Sequence, residues 1–140
     1  MILHFNYEEL RALRSGARTL LGRELGSSSP VLAPPERRAR VEALEDRLAG
    51  DLSLNTLEEL RNVEVAVAAI VEFLRAEMEA TVVATHAAGE EAVAAYFDFA
   101  HTLTVARRLE ELSDEMTALI ELMTGHPPDA ESVRTVRFPD

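Results

Sequence analysis

The chain has 140 residues and a formal charge of −11. That is enough for one domain with a modest core. The acidity argues against a general nucleic-acid binder, which needs cations to displace the counterions of phosphate, and against docking on an anionic membrane. Without Cys there is no disulfide scaffold and no thiolate metal site, and no apolar run approaches the ~20 residues of a membrane-spanning helix.

All 14 basic residues are Arg, and Lys, Gln and Trp are absent, which reads as a high-GC bacterial coding bias. The Met-Ile-Leu-His-Phe start lacks the basic region and long apolar core of a signal peptide, so a cytoplasmic location is expected.

Ile2 to Phe5 is a short apolar segment, expected to be extended. Asn6 then opens a helix through a capping box with Glu9. Tyr7, Leu10, Leu13, Ala17 and Leu20 or Leu21 recur on one face through about residue 22, with Arg11, Arg14 and Arg18 on the other side. Gly16 costs a helix interior roughly 1 kcal/mol against Ala, so it marks a kink or a close helix crossing. Residues 22–35 read as a Ser/Pro linker. Gly22 to Ser27 lacks the Gly-Lys-Ser/Thr that grips phosphate, and it follows a helix rather than a strand. Pro35 suits a first helical position. The short helix it opens runs to Ala49, turns Val41, Leu44 and Leu48 inward, and is closed by Gly50. Leu52 and Leu54 of the connector are expected to plug into the core.

Residues 56–125 dominate the chain as a long helical hairpin. Thr56 caps the first arm with Glu59. Leu57, Leu60, Val63, Val67, Ile70, Leu74, Met78 and Val82 form its apolar stripe, while Val65, Val71 and Phe73 lie off it. That excess is wider than one partner helix needs. Gly89 is the expected turn, as a left-handed helix terminator; Glu90 and Glu91 suit the positive end of the next helix. The second arm presents Val93, Phe97, Ala100, Leu103, Ala106, Leu109, Leu112, Met116, Leu119, Ile120 and Met123. Its two halves are slightly out of phase at Arg107-Arg108, where spacings of three and four allow local ion pairs with Glu110-Glu111. Gly125 and Pro127-Pro128 end it. The tail, 126–140, is expected to be extended: Val133 to Phe138 is either a short strand, paired with Ile2–Phe5 of this or another subunit, or a frayed end.

Candidate chemistry is sparse. Asp98 and His101 share a helical face at the carboxylate-x-x-His spacing that di-metal bundles use. Across the hairpin they lie near the level of Glu79, with Glu72 seven residues away. Glu72, Glu79, Asp98 and His101 are therefore the candidate metal ligands, for a divalent metal, although the motif occurs once and with Asp in place of Glu. Nothing resembles a nucleophile elbow or a His-Glu-x-x-His zinc motif. The aromatics say more. Tyr96, Phe97 and Phe99 spread around more of the helix than one facing helix covers, and with Phe73 they are the candidate interface residues.

The sequence thus reads as one mainly all-α domain: a long antiparallel hairpin, two shorter N-terminal helices packed on it, and short β-segments at the termini. The expected function is that of a non-enzymatic interaction or assembly protein, acting as a homo-oligomer, most simply a dimer, or as an accessory subunit of a larger complex. The alternative is a metal- or small-ligand-binding bundle built on the four residues above.

Overall fold

A computed structural model describes residues 1–23, 29–85 and 89–139. Along the chain come β1 (Ile2–Leu3), α1 (Tyr7–Leu20), a short 3-10 turn (Pro30–Leu32), α2 (Pro35–Glu45), β2 (Leu52–Ser53), α3 (Leu57–Thr85), α4 (Glu90–Thr124) and α5 (Ala130–Thr135). Helices α3 and α4 are the arms of the hairpin, roughly 45 and 50 Å long at 1.5 Å per residue. Helices α1, α2 and α5 all pack on α3, and α1 also contacts α4. Among the described residues no helix is long and apolar enough to cross a membrane.

The ends of α1 follow from local chemistry. The Glu9 N–H donates to Asn6 Oδ1 at 2.8 Å and the Asn6 N–H to Glu9 Oε1 at 3.0 Å, completing the capping box. At the other end Gly22 has φ 72°. The Arg23 N–H donates to the Arg18 carbonyl and the Gly22 N–H to that of Thr19, both at 3.0 Å, a Schellman termination. Asn6→Ala is expected to cost about 1 kcal/mol in a urea titration; no loss would mean that the first turn is held by packing alone.

Helix α1 can lie close on α3 because position 16 has no side chain. A Cβ built on Gly16 would sit 2.8 Å from Ile70 Cγ2 and 3.3 Å from Leu74 Cδ1. The expected crossing is therefore real. Tyr7 departs from its expected inward face: it is 76% exposed, whereas Glu9, two residues on, is buried. Helix α2 starts at Pro35 as expected but ends at Glu45, four residues early; the following turn still buries Leu48 beside Val41 and Leu44.

At the start of α3 the Glu59 N–H donates to Thr56 Oγ1 at 3.2 Å, while the Glu59 carboxylate accepts from Asn55 N–H. Along the first part of α3 the stripe residues are buried and so are the off-stripe Val71 and Phe73, as α2, α1 and the 3-10 turn pack on this helix beside α4; the off-stripe Val65 stays exposed at 42%. In the second half α3 is mostly exposed. Residues 86–88, which fall in the expected turn, lie outside the described residues. Gly89 is not a left-handed helix terminator: its φ is −90° and it is the N-cap of α4. Gly125, at φ 79°, does terminate α4 in the left-handed conformation.

The phase of α4 also differs from the expected stripe. Its buried residues are Ala92, Thr102, Val105, Leu109 and Ile120, while Val93, Phe97 and Met123 are exposed. Small Ala92 and back-bonded Thr102, whose hydroxyl donates to the carbonyls of Asp98 and Phe99, face inward instead.

The termini settle differently from expectation. Ile2 and Leu3 pair antiparallel with Ser53 and Leu52, with the terminal ammonium donating to the Leu54 carbonyl at 3.0 Å. Leu52 and Leu54 are buried, as expected. The tail is not an extended segment on Ile2–Phe5. It forms α5, capped by Asp129 and Ser132. Arg137 then bridges to Thr56 and the Phe138 N–H donates to Asn55 at 2.6 Å, which buries Phe138. Both termini thus join the 52–56 connector rather than each other, because the connector offers unpaired backbone groups at the head of α3.

Candidate interaction surface

The four proposed metal ligands do not converge on one point. Asp98 Oδ1 accepts from Arg11 Nη2 of α1 at 2.7 Å. Glu72 Oε2 accepts from Arg37 Nη1 of α2 at 2.9 Å. Glu79 is exposed. His101 stacks on Phe97, with ring centroids 6.4 Å apart. Among the described residues no group of three or more His, Asp or Glu side chains is placed to hold an ion. The arginines explain the divergence. Sequence spacing gives a helical level, but Asp98 and Glu72 are each paired with an arginine of a different short helix.

The aromatic residues divide in two. Phe73, expected at an interface, belongs to the core of this chain, where α2 and the 3-10 turn flank α3. Phe99 is half-buried beneath the Arg75 guanidinium, whose carbon lies 5.3 Å from the ring centroid. Tyr96 and Phe97 stay outside at 54% and 52% exposure, joined edge-to-face at 5.6 Å, with Val93 at 53% one turn before Phe97. With Val82 of α3 and Ala92 they line a shallow groove between the two arms. Among the described residues the outer half of the hairpin thus carries large apolar side chains at its surface. The face is acidic as well: between Arg75 and Arg107 the chain has Glu77, Glu79, Glu90, Glu91 and Asp98 and no Arg.

One polar feature was not legible in the sequence. Glu9 is 3% exposed, and its carboxylate accepts from Arg108 Nη2 at 2.8 Å; Arg108 also donates to the His4 carbonyl at 3.1 Å. The Arg108 side chain crosses to α1 rather than pairing with Glu111 on its own helix. Burial pushes the Glu9 carboxyl up, but the Arg108 bonds, the Asn6 N–H, and the charges of Arg108 and His101 outweigh it and hold Glu9 below the ordinary glutamate range. Glu64 goes the other way. Burial raises it, against a hydrogen bond from Ser113 and the charge of Arg61, and with Asp114 and Glu110 adding to the rise. The cleft between α2 and α3 is floored by Leu44 and Val63 and rimmed by Arg40 and Arg47, and the Arg47 guanidinium is tied to the Ser53 carbonyl.

The arrangement offers an apolar, acid-rimmed surface on the outer half of the hairpin. Comparison of the chain with protein-family models, with curated proteins and with solved structures finds no match in any of the three.

Proposed function

We propose that this chain is a non-enzymatic assembly protein of the cytoplasm that self-associates, as a dimer, through the outer half of its hairpin. The observation that carries the reading is the cluster of Val93, Tyr96 and Phe97, each more than half exposed, on the outer half of the hairpin. Exposed aromatic clusters of this kind serve as anchors at protein interfaces, and a second copy is the simplest cover for a folded chain.

Phe97→Glu tests it. Its side chain already faces water, so the fold and the thermal midpoint are expected to hold. The dimer dissociation constant should rise roughly thirtyfold or more, the loss of a central aromatic anchor. Native mass spectrometry of untagged protein purified without chelator gives the subunit number directly. A chain that is monomeric at tens of micromolar would overturn the proposal. The same spectrum tests the alternative metal- or small-ligand bundle, which requires a mass excess that is lost in His101→Ala.

A further inference from the structure

The cleft between α2 and α3 is built from two helical stripes. Arg40, Ala43 and Leu44 come from one face of α2, at spacings of three and four, with Arg47 in the turn that follows; Glu59, Asn62 and Val63 come from α3 at the same spacings. The cleft measures about 440 Å³, counting its open mouth, a size that small-molecule sites share. Leu44 and Val63 are 3% and 5% exposed, so its floor is part of the core. The rim carries hydrogen-bonding groups that the chain leaves unused. Arg37 and Arg38, on the same helix, pair with Glu72 and Glu42. Arg40 is partly buried yet has no ion pair or hydrogen bond among the described residues. The chain holds 25 acidic side chains for 14 arginines, so acidic partners are not scarce. Arg47 Nη2 donates to the Ser53 carbonyl at 2.6 Å, which leaves most of the N–H donors of its guanidinium over. The Asn62 side-chain amide has no hydrogen-bond partner among the described residues either. Glu59, the carboxylate of the lining, already accepts from the Asn55 N–H at the head of α3. The lining is therefore net cationic in a chain of charge −11.

An apolar floor under unpartnered donors selects a ligand by both of its ends. The planar fork of a guanidinium matches a carboxylate with two parallel N–H bonds. An apolar body is needed to cover Ala43, Leu44 and Val63, which an inorganic anion would leave in water. A neutral apolar molecule would cover the floor but leave the donors of Arg40 without an acceptor. We propose that the α2–α3 cleft binds a small organic monocarboxylate with a compact apolar body. Arg40 takes the carboxylate, Asn62 and Arg47 offer further N–H donors, and Leu44 and Val63 carry the body. The site lies apart from Val93, Tyr96 and Phe97 and rests on nothing in the self-association reading.

Benzoate is the probe, titrated into the full chain and followed by amide chemical shifts. Acetate supplies the same head without the body, and benzyl alcohol the same ring without the charge. Saturable shifts are expected at Ala43, Leu44, Asn62 and Val63 by about 10 mM benzoate, where a site with a dissociation constant of about 1 mM is some nine-tenths filled. Acetate and benzyl alcohol should each bind about tenfold more weakly or worse. Arg40→Gln keeps most of the aliphatic stem and removes the charge. It should weaken benzoate about tenfold or more, with the thermal midpoint unchanged, since Arg40 makes no ion pair or hydrogen bond that the fold would lose. No saturable shift at the cleft by that concentration would overturn the proposal. So would benzoate binding that Arg40→Gln leaves intact. Acetate bound as tightly as benzoate would overturn the ligand class, because the apolar floor would then contribute nothing.

Discussion

Arg108→Ala is expected to destabilise the chain by about 2–3 kcal/mol at neutral pH, somewhat less than removing one partner of a fully buried ion pair costs, because Arg108 itself is partly solvated and screened. The loss comes from the group left behind. Glu9 is 3% exposed, and without the guanidinium it keeps the backbone N–H of Asn6 as its hydrogen-bond donor inside the protein. The pH dependence gives a sharper reading than the midpoint. In the wild-type chain Glu9 is held below the ordinary glutamate value of 4.5, so on acidification the unfolded chain takes up the proton first. Its contribution is complete above that ordinary value and is lost as the pH falls through the lower, folded one. In Arg108→Ala burial goes largely unopposed, and Glu9 should titrate above the ordinary value. Its effect then reverses: stability is recovered as the pH falls. Urea midpoints measured for both proteins between neutral pH and the acid limb should converge on acidification. Parallel curves would mean that Arg108 acts through its contact with the His4 carbonyl and not through Glu9.

Gly16→Leu is expected to cost roughly 3 kcal/mol, near the upper end of what overpacking a close contact costs, even though leucine favours a helix interior by nearly 1 kcal/mol over glycine. The Cβ alone would press on Ile70 Cγ2 at 2.8 Å, and Ile70 is fully buried. The remaining carbons have only the α1–α3 interface to enter. The milder Gly16→Ala isolates the contact. Its propensity gain is set against displacement of one methyl, so it should be close to neutral in the wild type. It should turn stabilising when Ile70→Leu removes the methyl at the β-carbon. The two substitutions share an atom contact, so their effects should be non-additive. Additivity in a double-mutant cycle would show that the crossing can open without cost.

Several elements were legible because their causes are local. Asn6 and Glu9 are three residues apart and can satisfy each other's backbone groups without help from the rest of the chain. Pro35 opens α2 for its pre-set φ, and Gly125 closes α4 in a conformation that carries no steric cost for glycine. The 3.6-residue period announced two long helices and the side of α3 that meets α4. The tail was misread for the same reason. Its β-branched run outweighed the Asp129–Ser132 cap that starts α5, a local signal present in the sequence but given too little weight.

What the residues of this chain determined by themselves is therefore the inventory: helices with their caps, a hairpin reversing near Gly89, an acidic surface, and more apolar side chains than two helices can hide. Tertiary structure alone decided where that excess goes. Phe73 and Phe97 are both aromatic residues on long amphipathic helices, yet Phe73 joins the core cluster while Phe97 stays half exposed on the outer half of the hairpin. It likewise decided that Asp98 and Glu72 answer to Arg11 and Arg37 instead of to each other, and that Arg108 reaches back to Glu9. Each outcome depends on where a short helix lands along a long one. That position is set by contacts between residues tens of positions apart, which neither the spacing nor the chemistry of neighbouring residues records.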